Sequence, residues 1–304
     1  MRSFDADALE CLAAIVEEGG FERAALRLSV TQSAVSQRLR ALEAQVGTVL
    51  LVRSRPLKPT TAGRLLIKHA AQLRLLRADL DKDLQDLTPS ASALREEDRI
   101  SIAINADSIA TWALPALGPL VDAGLPLEII TDDQDFTHEW LREGQVLGCV
   151  TTLKQALRGC KVQPLGDMRY VAVAAKDYAQ VRCAHGLTAH NFRQIPFIAF
   201  NRKDDLQSEF VARALGLRRV NVRQRFVPSS EGQVRAVLAG WGASVVPYLQ
   251  VRGLLASGDL VNLAPQHSLS VRLYWHCWNL DSAVIDQLTQ ALAAGAQLAL
   301  EAAK

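Results

Sequence analysis

The chain has 304 residues, 49% apolar and 22% charged, enough for a small domain and one or two larger ones. Its formal charge of +2 hides an asymmetry: residues 1–77 hold 12 basic and 7 acidic side chains, net +5, and residues 78–304 hold the other 22 and 25, net −3. With no apolar run of about 18 residues and no apolar core behind Met1, the sequence predicts neither a membrane span nor a signal peptide, and hence a cytoplasmic protein.

Residues 4–18 are predicted to form an amphipathic helix presenting Leu9, Leu12, Ala13 and Val16, ended by Gly19-Gly20. Two more helices follow. Ala24, Ala25 and Leu28 mark the first, and Val35, Leu39, Leu42 and Val46 the second. Ser29, Val30 and Thr31 leave room only for a sharp corner, with Thr31 as N-cap. The polar face of the second helix carries Gln32, Ser33, Ser36, Gln37, Arg38 and Arg40, groups that suit base edges and phosphates in a major groove. After Gly47, residues 49–60 read as a two-stranded wing with Arg53, Arg55 and Lys58. From Arg23 to Arg77 there are eleven Lys/Arg and one acid, Glu43. A solvated face mixes signs, so this run predicts a polyanionic partner, double-stranded DNA.

Thr61 to about Leu87 is a predicted long helix. Leu66, Leu73, Leu80 and Leu87 recur every seven residues and call for a partner. Its charges are segregated, Arg64, Lys68, Arg74 and Arg77 before Asp79, Asp81, Asp83 and Asp86. That order opposes the helix dipole but is complementary between antiparallel copies, so a homodimer is predicted.

Residues 88–98 form a polar hinge, and α/β alternation follows. Predicted strands cover 100–104, 127–131, 146–150, 170–175, 197–200, 223–227, 243–246 and 268–278, the last returning to the first sheet. Predicted helices cover 108–122 (interrupted by Pro115), 134–144, 205–215, 230–240 and 281–301, with a crossover near 158–168. This order predicts two doubly wound subdomains around a cleft. Beyond strand C-ends and beside helix N-termini lie Asn105, Asp107 and Ser108, then Thr151 and Thr152, then Ser229, Ser230 and Glu231. The hydroxyls and free helix N–H groups there suit a carboxylate. Asp132, Asp133, Asp204 and Asp205 are placed to receive a cationic side chain. Trp241 is read as core, and Trp275 and Trp278 as structural aromatics bracketing His276.

The five cysteines (11, 149, 160, 183, 277) are odd in number and form no CxxC, so reduced thiols are predicted. The alternative is a redox sensor of Cys149 and Cys160, against which the apolar run 146–150 argues. There is no nucleophile elbow, HExxH, P-loop or dinucleotide fingerprint, and the histidines lack metal spacing, so no enzyme, metal or cofactor is predicted.

The pattern Gly20-Phe21 … Ala24-Ala25 … Leu28 … Thr31-Gln32-Ser33-Ala34-Val35-Ser36 … Leu39 … Leu42-Glu43 … Gly47 … Arg53 … Thr61-Ala62-Gly63 resembles the winged helix-turn-helix of LysR-type transcriptional regulators. Stretches 52–60, 105–112, 229–231 and 273–276 are similar to the ArgP/LysG branch, which controls arginine and lysine export. Leu51-Val52 departs from the Phe that many members carry before the wing arginine. The resemblance implies a multidomain α/β protein. Residues 1–60 would be a winged helix-turn-helix, 61–88 a linker helix and 89–304 a periplasmic-binding-protein-like effector domain. Within that domain, 98–167 with 268–304 would form one subdomain and 168–267 the other. It also implies L-lysine or L-arginine as effector, an antiparallel dimer or dimer of dimers, RNA polymerase as partner and a place at the nucleoid.

Overall fold

The computed structural model describes residues 4–52, 54, 56–87, 99–132 and 137–302; the side chains of 81–87 and of Asp132 lie outside that description. Arg53, Arg55, Asp133 and the hinge 88–98 lie outside the described residues.

The N-terminal unit is built from α1 (Ala6–Glu17), α2 (Phe21–Arg27) and α3 (Gln32–Val46). Leu9, Leu12, Ala24, Val35, Leu39 and Leu42 meet in one core. Ser29 makes the corner between α2 and α3 in the left-handed region, φ +52°. The Thr31 hydroxyl accepts from the Ala34 N–H at 3.1 Å, capping α3. The wing is β1 (Leu51–Val52) paired antiparallel with β2 (Lys58–Pro59). Glu43, the one acid of the basic run, accepts the Leu50 N–H at 2.8 Å and so ties α3 to the wing. Gly63 lies against the Leu50 carbonyl, where a Cβ would come within 2.2 Å.

α4 (Thr61–Leu87) is about 40 Å long at 1.5 Å per residue. Its seven-residue stripe is not a single partner face. Leu66 and Leu73 pack into the N-terminal core, while Leu80 is exposed. Leu75 packs into the effector-domain core with Ala71 beside it, and Lys68 lies against Gly144. The outward stripe is instead Leu65, Leu76 and Leu80. A helix of 3.6 residues per turn drifts against a seven-residue repeat, and here α4 must also serve two cores of its own chain. One basic side chain of the predicted charge pattern is spent internally too: Arg74 pairs with Glu10 at 3.3 Å and Glu17 at 2.6 Å. Arg27 adds a pair to Glu17 at 2.5 Å. Burial raises the Glu17 carboxyl, but Arg74 and Arg27 outweigh it and hold it below the ordinary range. The helix-turn-helix is thereby clamped to α4.

The effector domain starts with β3 (Ile100–Asn105), followed by α5 (Ala106–Ser108), a π-helical turn (Ile109–Ala113) and α6 (Leu114–Asp122). The interruption predicted at Pro115 takes the form of that π-helical turn, with Pro115 in the first turn of α6. The widened turn just before it eases the proline ring past the preceding carbonyls, and the helix runs on. Next come β4 (Leu127–Asp132), α7 (Thr137–Arg142) and β5 (Gly148–Thr151). The predicted crossover near 158–168 is strand: β6 (Cys160–Ala175) runs for 16 residues. Pro164 and Gly166 sit at a bulge opposite Leu273/Tyr274. The remaining elements are α8 (Lys176–Arg182), β7 (Pro196–Ala199), α9 (Leu206–Ala214), β8 (Arg223–Phe226), α10 (Ser230–Leu238), β9 (Ala243–Pro247), α11 (Tyr248–Ser257), β10 (Leu260–Asn262), β11 (Leu269–Trp278) and α12 (Ala283–Ala299). Of these, α8, α11 and β10 were not predicted.

The sheet order is β4-β3-β5-β11-β6-β9-β7-β8, with β10 on β6. The first half of β6 pairs only with β11, beside β5, and the second half also pairs with β9, so this strand joins two α/β halves. Asp167, at the change-over, is held by Arg272 and by backbone bonds of 3.0 Å to Glu301. Buried Trp275 lies on Gly148, where a Cβ would reach its ring at 2.2 Å, and Trp278 and His276 are buried beside it. Trp241, read as core, is half exposed: it sits in the turn before β9, outside the layers. No helix among the described residues is long and apolar enough to cross a membrane.

Candidate functional site

On the N-terminal unit, Gln32, Ser33, Gln37 and Arg40 are exposed on α3 and Ser36 is half-buried. Gln32, Ser36 and Arg40 stand four residues apart and line one groove with Ser54, Pro56 and Leu57 of the wing. Lys58 is exposed on β2. Arg38 is turned to the other side, where it pairs with Asp7 of α1 at 3.1 Å. Thr31 spends one lone pair on its cap and keeps its O–H.

In the effector domain, β3, β5 and β7 end at one cleft containing a cavity of about 180 Å³. This is small beside pockets for drug-sized ligands and suits a single small metabolite. Of the predicted residues, Asn105, Asp107, Thr152, Asp204 and Asp205 line it together. Glu209, Phe200 and Gln207 join them from α9 and the loop before it. The cleft thus gathers four acidic side chains, Asp107, Asp204, Asp205 and Glu209.

Asp107 bridges the halves. It accepts from the Tyr170 hydroxyl at 2.7 Å and from the Ser230 hydroxyl of α10 at 2.5 Å. Asp204 accepts the backbone N–H groups of Phe200 and Leu206, both at 2.9 Å. Burial pushes its carboxyl above the ordinary range, those two N–H groups oppose the rise, and nearby Asp107 adds to it. Glu209 also pairs with Arg213 at 2.5 Å. Asn105 is buried, and among the described residues neither polar atom of its amide has a partner.

Other predicted residues lie elsewhere. Ser108 and Thr151 are fully buried and do not line the cavity. Ser229 caps α10 by accepting from Gly232 at 3.0 Å. Ser229, Ser230 and Glu231 line an adjoining hollow with Phe200 and Thr131. Tyr170, Glu209 and Phe200 escaped the sequence reading. The buried strand of Tyr170 and the helix of Glu209 carry no local signal of ligand contact.

The redox alternative fails on burial. All five cysteines are free thiols, Cys149 is fully buried, and burial pushes the thiols of Cys149 and Cys160 up, away from the thiolate.

Comparison with known proteins agrees with this architecture. Residues 6–64 match the bacterial regulatory helix-turn-helix protein, lysR family, and residues 94–297 match the LysR substrate binding domain. The chain is 39% identical over 302 residues to the HTH-type transcriptional regulator ArgP of Aeromonas salmonicida, covering 99% of each. It superposes on the crystal structure of ArgP from Mycobacterium tuberculosis with a TM-score of 0.84 at 40% identity, covering 99% of this chain and 100% of that one. Full-length LysG from Corynebacterium glutamicum with bound effector Arg matches with a TM-score of 0.71 at 32% identity, over 98% and 99% of the two chains. The chain belongs to the LysR family of bacterial helix-turn-helix transcriptional regulators.

Proposed function

We propose that the protein is a DNA-binding regulator whose cleft takes L-lysine or L-arginine and which controls a gene for basic amino acid export. The observation that carries the ligand class is the cluster of Asp107, Asp204, Asp205 and Glu209 in one cavity with the unpartnered amide of Asn105. A basic amino acid brings two cations and one carboxylate. The acids take the cations, and the Asn105 Nδ2 donates to the carboxylate. Full-length relatives named ArgP, and a LysG structure with arginine bound, support the same ligand class. Calorimetric titration with lysine, arginine and leucine tests it. Saturable heat is expected for one or both basic amino acids and none for leucine. Silence with both, in protein that still binds DNA, removes this ligand class.

Asp107 joins the halves through Tyr170 and Ser230, so a cation competing for it favours one arrangement of the halves over another. The change reaches the DNA-binding heads through α4, to which Arg74 clamps α1. Two copies pair through antiparallel α4 helices, as dimers or dimers of dimers, working on DNA in the cytoplasm at the nucleoid and touching RNA polymerase there.

On DNA, Gln32, Ser33, Ser36, Gln37 and Arg40 read the major groove, with Thr31 at the helix start, while Arg53, Arg55 and Lys58 hold phosphates. Arg38 acts through α1 instead. Arg40→Ala is expected to weaken operator binding about tenfold, and Ser36→Ala by a smaller factor. If Arg40 meets phosphate, its loss also lowers the slope of log affinity against log salt by about 1. Fluorescence anisotropy across a salt series checks this. Unchanged affinity in both variants would move the reading face off α3.

A further inference from the structure

The second half of the effector domain carries another concave site, at the opposite end of its strands from the ligand cleft. Phe200 and Asp204 follow the C-end of β7, whereas Pro196, at its N-end, lines this one. A four-residue strand at about 3.3 Å per residue sets them roughly 13 Å apart. The cavity is about 240 Å³, and its charged side chains are all guanidinium: Arg182 from α8, and Arg223 and Arg225 from β8. Tyr178, Gln194 and Trp241 complete the wall.

This is not a solvated face of mixed sign. Residues 178–225 hold nine Lys/Arg and three acids, Asp204, Asp205 and Glu209, and all three acids line the ligand cleft at the other end. The acids of this stretch thus all lie at the strand C-ends, where Arg202 and Lys203 also stand, and the charged side chains that line the opposite cavity are guanidiniums alone. Among the described residues, Arg182, Arg223 and Arg225 have no carboxylate within ion-pair distance. Arg225 is fixed by donating to the Trp241 carbonyl. Burial pushes the Tyr178 phenol up, Cys183 adds to this, and the three guanidiniums oppose it, so all three act on that hydroxyl. Trp241, outside the layers, lines the cavity while half exposed.

We infer that this cavity is a second ligand site, taking a small phosphorylated metabolite whose phosphate sits among Arg182, Arg223 and Arg225. Guanidinium forks match phosphate oxygens two at a time, and the Tyr178 O–H and Gln194 amide supply further donors. The site does not depend on the reading of the cleft, and a ligand there would not compete with a basic amino acid.

Isothermal titration of the full-length protein with inorganic phosphate, pyrophosphate and citrate, at ionic strength matched with chloride, tests the inference. Saturable binding of phosphate or pyrophosphate is expected, tighter than citrate. It should weaken about tenfold or more in the Arg223→Gln, Arg225→Gln double variant. Lysine and arginine titrations, measured on both proteins, report whether the variant cleft is intact. A milder single variant, Arg182→Gln, should weaken phosphate binding with the fold undisturbed. Three results would overturn the inference: no saturable binding beyond the chloride control, binding equal in wild type and both variants, or citrate binding tighter than pyrophosphate. Loss of double-stranded DNA affinity in the variants without any small-anion binding would overturn it as well, and would assign the arginines to nucleic acid.

Discussion

The Leu76→Glu, Leu80→Glu double variant is expected to run as a monomer and to lose operator affinity by about 100-fold or more. Among its described side chains, α4 has two occupied faces and one exposed one. Ile67, Ala70, Leu66 and Leu73 serve the N-terminal core, and Leu75 and Ala71 serve the effector domain. Leu65, Leu76 and Leu80 remain 67%, 43% and 56% exposed on a single stripe, with spacings of eleven and four residues. Isolated exposed leucines are ordinary, whereas an aligned set on a long helix calls for a partner. Burying each leucine against a second copy contributes roughly 1.5–3 kcal/mol, and a glutamate there instead places an unpaired charge in the contact. The operator loss follows from bivalency: two linked heads bind the second half-site at high effective concentration, and a monomer forfeits that gain. Light scattering coupled to size exclusion reads the first effect and anisotropy on an operator duplex the second. A variant that stays dimeric would take this face of α4 out of the interface.

What was legible in the sequence divides by the range of the forces involved. The winged helix-turn-helix could be read because its determinants are local: 3–4 residue spacing, a three-residue corner and the Thr31 cap. Arg38 shows the limit, since its position among polar neighbours gives no hint that Asp7, 31 residues earlier, will claim it. The α4 stripe misled because one helix serves two cores and leaves a third set of leucines exposed, and a repeat cannot say which leucine meets which. The first part of β6 is read as a crossover and its second part, 170–175, as strand; Pro164 and Gly166 carry turn chemistry, and only pairing with β11 makes them a bulge. In the cleft, the rule that ligands lie beyond strand C-ends found Asn105, Asp107, Thr152, Asp204 and Asp205, since it needs only strand order. Tyr170 and Glu209 arrive there through tertiary packing and left no trace in their own neighbourhoods.

Asp204→Asn is expected to lower affinity for lysine and arginine about 30-fold or more and to flatten the pH dependence of binding. In the ligand-free protein, burial and Asp107 hold the Asp204 carboxyl above its ordinary value. The folded state thus binds this proton more tightly than the unfolded chain does. Stability from this group is present below the ordinary carboxylate value and is lost as pH rises through the raised one. A cationic side chain reverses the preference, because it favours the ionised carboxylate. Affinity for a basic amino acid should therefore fall as pH drops through the raised value, and binding there should release a proton, visible as heat that depends on the buffer. Removing one partner of a desolvated charge pair costs about 2 kcal/mol or more, which sets the size of the loss. Asparagine keeps only one oxygen for the Phe200 and Leu206 N–H groups, so some lost stability is expected as well. Asp205→Asn, at an exposed position without those bonds, separates the two effects: it tests charge alone and should lose less. If Asp204→Asn binds arginine with wild-type affinity and an unchanged pH profile, the cation is held elsewhere, and Asp107, with its Tyr170 and Ser230 partners, becomes the group to replace next.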